Sequence, residues 1–104
     1  MEFLFQGNFM EISQSFGQAL KKARKSKKIT QEDFSQVSSR TYISTLERGI
    51  YTPTLEKIDS IAEFIGVHPL TLVTLTYLIE NKTKGVEDLF ELVRCQLKQI
   101  AEIS

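Results

Sequence analysis

The chain has 104 residues, 41% hydrophobic and 25% charged, the balance of a single soluble globular domain rather than of a disordered or fibrous protein. One cysteine excludes an internal disulfide framework, and no run approaches the roughly 18 apolar residues of a membrane span. The formal net charge of zero conceals a split: residues 11–53 hold eight bases against four acids, and residues 54–104 five bases against eight acids. A basic front half and an acidic back half point to a polyanion met on one side only.

The first ten residues, MEFLFQGNFM, lack the basic segment and long apolar run of a secretory signal. With the lone Cys95 this points to a reducing, cytoplasmic setting. The stretch EFLFQG, Glu2 to Gly7, resembles the recognition site of a picornaviral 3C protease, with Phe3 where valine is usual and Asn8 in place of the common proline. Residues 1–9 are therefore expected to be an expression-tag remnant and Met10 the native start; the competing reading is a native apolar arm.

Helical spacing organises the rest. Phe16, Leu20 and Ala23 recur on one face between lysines, predicting a first helix over 13–27. Thr30 followed by Gln31, Glu32 and Asp33 is a capping-box start for a short second helix ending near Val37, with Phe34 and Val37 facing inward. Ser39 is placed to cap a third helix from Arg40 to Glu47, and Gly49 to end it. Thr54 caps a fourth, whose Leu55, Ile58, Ile61, Ala62 and Ile65 form an apolar stripe closed by Gly66. His68 and Pro69 open a fifth; VTLTYL within it is β-branched enough to imitate a strand, but its length and helix-starting proline favour a helix. A sixth follows NKTKG. Its Val86, Phe90, Val93, Leu97 and Ile100 fall at steps of four, three, four and three, the seam of a coiled coil or tightly packed helix pair. Part of this apolar surface is expected to complete the core, and the surplus, with Leu89, to bury against another copy of the chain.

A short helix, a tight turn and a second short helix with a polar first turn is the layout of a helix-turn-helix, whose second helix fits the DNA major groove. The stretch ITQEDFSQVSSRTYISTLERGIYTPTLEKIDSIAEFIGV, residues 29–67, resembles the lambda-repressor and Cro-like (XRE) DNA-binding domain. The resemblance rests on TQEDFS, RTYIS, LERG, Pro53 and IAEFIGV in this order, and with the preceding helix covers residues 16–72.

It implies an all-α, five-helix domain over 10–80, with 81–104 a C-terminal dimerisation helix. Arg40 and Thr41 match positions that face bases, Thr45 follows one turn later, and Ser44 lies beside them. Gln31 matches a glutamine that contacts the DNA backbone. Ser39, Arg48 and the Ile50–Thr52 loop, with Tyr51 and Thr52, match phosphate-meeting segments; apart from the resemblance, Lys27 and Lys28 at the end of the first helix add long-range attraction. Tyr42 either packs beneath the helix or touches a phosphate. Glu47, by the same resemblance, pairs with Arg24 in the first helix as scaffold. One departure stands out: the family usually has two more residues, including a glycine, between the second-helix glutamine and YIS. The second helix must be shorter or the turn tighter.

Enzyme chemistry finds no support in the residues. His68 is explained by capping and lacks companion ligands, Cys95 reads as a packed thiol, and no phosphate-binding loop or dinucleotide fingerprint is present. No cofactor, metal or membrane is expected. The resemblance implies a homodimeric repressor on double-stranded DNA, and the apolar seam places its dimer contact at Val86, Leu89, Phe90, Val93, Leu97 and Ile100 with help from residues 70–78. The alternative is an antitoxin, which would hold a toxin or other regulatory protein there and co-purify with it.

Overall fold

The helix boundaries are set by hydrogen bonds that neighbouring residues supply. The computed structural model of the protein describes residues 11–81 and 85–101; residues 1–10, with the tag reading, lie outside it. The elements are α1 (Ile12–Ser26), a 3-10 helix η1 (Glu32–Gln36), α2 (Arg40–Glu47), α3 (Leu55–Ile65), α4 (Pro69–Asn81) and α5 (Val86–Ala101). The described residues form no strand, and VTLTYL lies within α4.

The caps account for these limits. Ser39 Oγ accepts from Tyr42 N–H at 3.0 Å, Thr54 Oγ1 from Lys57 N–H at 3.1 Å, and His68 Nδ1 from Leu70 N–H at 3.0 Å. Thr30 and Asp33 close a reciprocal box, with Thr30 N–H donating to Asp33 Oδ2 at 2.8 Å and Asp33 N–H to Thr30 Oγ1 at 3.1 Å. Gly49 (φ 78°) ends α2 and Gly66 (φ 94°) ends α3. In each case the glycine's own N–H and that of the residue after it donate back to carbonyls of the helix's last turn. At the end of α1 the same turn falls on Lys28, at φ 60°, where a non-glycine residue carries backbone strain.

The core is Phe16, Ala19 and Leu20 from α1, Phe34 from η1, Ile43 and Leu46 from α2, Ile58, Ile61, Ala62 and Ile65 from α3, and Leu72 from α4. Helix α1 packs on both α2 and α4, α3 packs on α4, and η1 lies against α2. The Phe34 ring meets Phe64 with centroids 4.9 Å apart.

Two expectations, on Leu55 and on the last helix, need correction, and one is sharpened. The second helix is short, as expected, and takes 3-10 geometry because the chain has only Val37–Ser39 in which to turn before α2 starts. Phe34 O accepts from both Val37 N–H (2.7 Å) and Ser38 N–H (2.8 Å), ending the helix at once. Leu55 is 79% exposed; the buried stripe of α3 starts one turn later at Ile58, and Leu55 rims a shallow apolar depression with Ile12, Val73 and Tyr77. Finally, α5 buries no residue, so the core closes without it.

Two contacts fix α1 against α2. Gly17 lies so close to the end of α2 that an added Cβ would fall 2.5 Å from Leu46 O and 2.6 Å from Glu47 O. Beyond it, Arg24 Nε donates to Glu47 Oε2 at 2.6 Å and Nη2 to Oε1 at 3.0 Å, with side chains only 10% and 4% exposed. Arg24 Nη1 also donates to Ile29 O at 2.9 Å, and Gln31 Nε2 to Glu47 Oε1 at 3.1 Å. The hydrogen bond to Glu47 raises the Arg24 pKa above its ordinary value, burial opposes this, and the Glu47 charge adds to the rise. The stability the raised pKa reports is fully present below the unfolded value, so the Arg24 guanidinium contributes it across the neutral range.

Gly17→Ala should lower stability by about 2 kcal/mol despite alanine's better helix propensity, since backbone must move to admit the methyl. A melting curve at or above wild type would mean that α1 and α2 separate freely. Glu47→Ala strands a nearly buried guanidinium and should cost about 3 kcal/mol, a fall in Tm of roughly 10–20 °C. An unchanged Tm would remove the pair as a clamp.

Candidate DNA-reading face

Helix α2 is eight residues long, and its two faces differ completely. At 3.6 residues per turn, Arg40, Ser44, Arg48, Thr41 and Thr45 fall within one arc of about 140°. Tyr42, Ile43, Leu46 and Glu47 fill the remainder, toward the core. The outward arc thus holds two guanidinium groups and three hydroxyls, and no acid.

The first turn is the open end of this arc. Arg40 and Thr41 are exposed, while Ser44 and Thr45 are half-buried. Arg40 Nη1 lies 3.9 Å from Glu32 Oε2, with side chains 66% and 75% exposed, a solvent-screened pair that holds the guanidinium only weakly. Thr45 Oγ1 donates to Tyr42 O at 2.7 Å, so its proton is used within the helix and its oxygen remains an acceptor. Ser39 Oγ is engaged as an acceptor by the cap, which leaves its own O–H free to donate.

Around α2 the residues matched to backbone contacts divide into two sets. Arg48, Tyr51 (55% exposed) and Thr52 lie in and after the turn that ends the helix. Arg48 is about 12 Å along the axis from Arg40. Lys28 is exposed at the end of α1. Gln31 and Tyr42 are held instead by the protein. Gln31 spends an amide N–H on Glu47. Tyr42 is half-buried against the core, with Lys57 Nζ 5.4 Å from its ring centre.

Lys57 is a residue that sequence reasoning passed over. Its Nζ reaches Val37 O at 3.5 Å while lying over Tyr42, so a cation from α3 ties down the link between η1 and α2. Nothing in the local sequence around Lys57 signals this, because the contact spans about twenty positions. Gly17 was also missed; a glycine inside a helix, which costs about 1 kcal/mol against alanine, was the available sign of a close approach.

Cys95 is exposed rather than packed, and hydrogen bonding to Glu91 pushes its thiol pKa up, with burial and the Glu91 charge adding to the effect, away from nucleophilic reactivity. Among the described residues no three His, Cys, Asp or Glu side chains gather, and no single helix is long and apolar enough to cross a membrane.

A family model described as helix-turn-helix matches residues 20–72, the segment that holds η1, α2 and α3. The chain is 31% identical over 68 residues to the immunity repressor protein of Bacillus phage phi105, covering 64% of this chain and 47% of that one. It thus spans about half the length of that repressor. It is 35% identical over 69 residues to the uncharacterized HTH-type transcriptional regulator y4dJ of Sinorhizobium fredii, covering 64% of this chain and 90% of the relative. Two structures of the clp gene regulator ClgR from Corynebacterium glutamicum share the fold at TM-score 0.66. One is 21% identical and covers 72% of this chain and 99% of its own; the other is 19% identical and covers 88% and 96%. From the matched segment and these relatives, the chain belongs to the lambda-repressor and Cro-like, XRE-type helix-turn-helix family of DNA-binding transcriptional regulators.

Proposed function

We propose that the protein is a repressor that binds a palindromic operator as a homodimer, one α2 in the major groove of each half-site. The observation that carries this reading is the outward arc of α2, which holds only hydroxyl and guanidinium groups. Arg40 pairs with the two acceptors of a guanine edge, a contact worth about 1–3 kcal/mol of discrimination. Thr41, Ser44 and Thr45 line the next bases, Thr45 offering its oxygen and methyl.

Positioning comes from the phosphates. Lys28, Ser39, Arg48, Tyr51 and Thr52 supply salt-sensitive, sequence-blind affinity. Gln31 uses the amide hydrogen not engaged by Glu47, and the Tyr42 hydroxyl reaches a phosphate while its ring stays packed. Residues 10–80 are the DNA-binding domain, and residues 81–104 the dimerisation helix. The support for dimerisation is the apolar face of α5: Phe90, Val93, Leu97 and Ile100 are 44%, 41%, 43% and 81% exposed, and Val86 and Leu89 flank them half-covered. A two-fold dimer requires half-site centres about 10 base pairs or a multiple apart. The bound dimer acts by excluding polymerase.

Selection of bound duplexes from a random DNA library should return a two-half-site palindrome. With Arg40→Ala, preference at one base pair per half-site should fall roughly 5- to 100-fold while the others persist. Absence of any motif at low salt would overturn the repressor reading. Leu97→Glu should give a monomer by sedimentation, with the thermal transition of the front helices unchanged and operator binding weakened. A variant that stays dimeric would move the interface to the patch of Ile12, Leu55 and Tyr77.

A further inference from the structure

We infer that α5 pairs antiparallel with α5 of a second copy, and that the partner's Leu97 and Ile100 close the apolar cleft between α4 and α5. This deepens the dimer reading above and rests on it. The cleft has a volume of about 440 Å³ and is walled by Leu70, Thr74, Leu75 and Leu78 of α4 and by Val86 and Phe90 of α5. Only the first turns of α5 contribute to it. The later seam residues Val93, Leu97 and Ile100 extend past it and stay 41%, 43% and 81% exposed among the described residues. The chain therefore carries an unfilled apolar cleft at one end of α5 and an unpartnered apolar stripe at the other. A two-fold axis that reverses the helix brings the stripe of each copy to the cleft of its partner, and both are satisfied at once. A parallel pair would leave the cleft open and the Leu97 and Ile100 ends paired only with each other.

Seam register and charge select the same direction. Knobs at steps of four and three interlock in an antiparallel pair when Val86 faces the partner's Leu97 and Phe90 faces the partner's Val93. In that register Glu87 lies beside the partner's Arg94, and symmetry repeats the contact. The helix carries Glu87, Asp88 and Glu91 in its first half and Arg94 and Lys98 in its second. Reversal brings the acidic first half of each helix beside the basic second half of its partner, with Glu87 and Arg94 the closest pair, and also opposes the helix dipoles. Parallel pairing would gather the acids of both helices at one end and the bases at the other.

Cysteine cross-linking tests the direction in the full chain. In a Cys95→Ser background, Val86→Cys and Leu97→Cys are prepared singly and then mixed before oxidation. Equivalent positions in the antiparallel pair lie eleven residues, about 16 Å, apart along the axis, beyond the ~7 Å Cα separation that a disulfide spans. The mixture should therefore give a covalent dimer containing one chain of each kind, and each variant alone should not. Efficient self-linking of each variant, with no preference for the mixed species, would overturn the antiparallel arrangement and leave the dimer standing. A monomer by sedimentation of the unoxidised wild type would overturn both. Charge reversal supplies a readout that leaves the apolar seam intact. Glu87→Arg should weaken dimerisation on the order of fivefold, and adding Arg94→Glu should restore it; failure of that rescue would contradict the register.

Discussion

Everything presented by α2 depends on the Glu47 carboxylate. It lies on the inner side of the helix, where it receives two hydrogen bonds from Arg24 and one from Gln31. It thereby ties α2 to α1 and to the start of η1. A charge so little exposed would be costly alone; paired in two dentate contacts, it converts burial into orientation. Gly17 complements it: without a Cβ at that position, α1 comes close enough to the carbonyls of Leu46 and Glu47 for Arg24 to reach. The helix proposed to meet DNA is thus held from behind by a salt bridge and a steric minimum, while its outer arc is engaged by the Thr45 bond to Tyr42 and the screened Arg40–Glu32 pair.

The shortened link between η1 and α2 shows how the fold absorbs a two-residue departure from the family layout. The first helix of the motif tightens to 3-10 geometry, whose smaller number of residues per turn suits short segments. Its carbonyl at Phe34 accepts two N–H groups at once. The Val37 carbonyl is held by Lys57 from α3. The angle between the two helices is then set by Phe34 in the core and by these polar contacts, without the usual glycine.

Helix ends and most of the core were legible in the sequence because they depend on neighbours a few positions apart. Ser39, Thr54, His68, Gly49 and Gly66 each set a boundary through a bond to a residue within about one turn, and Phe16, Leu20, Ile43, Leu46 and Ile61 follow helical period. What the sequence hid is long-range. The close approach at Gly17, the reach of Lys57 and the sharing of Glu47 by Gln31 all join segments far apart along the chain. Leu55 and α5 were misjudged for a related reason: apolar periodicity shows that a face wants burial, but not which surface, or whose, will bury it. At the proposed site, the outward arc of α2 and the packing of Tyr42 beneath it could be read from the sequence, whereas the capture of Gln31 by Glu47 could not.

The central claim is that DNA meets the outer arc of α2 and the segments at its two ends. The most direct measurement is a titration of isotope-labelled protein with its selected operator duplex, following backbone amide resonances. The account predicts that the shifts concentrate at residues 39–45, at 48–52 and near Lys28 and Gln31, with the amides of α5 nearly unmoved at a fixed oligomeric state. Shifts concentrated on α4 and α5, with the first turn of α2 silent, would contradict it.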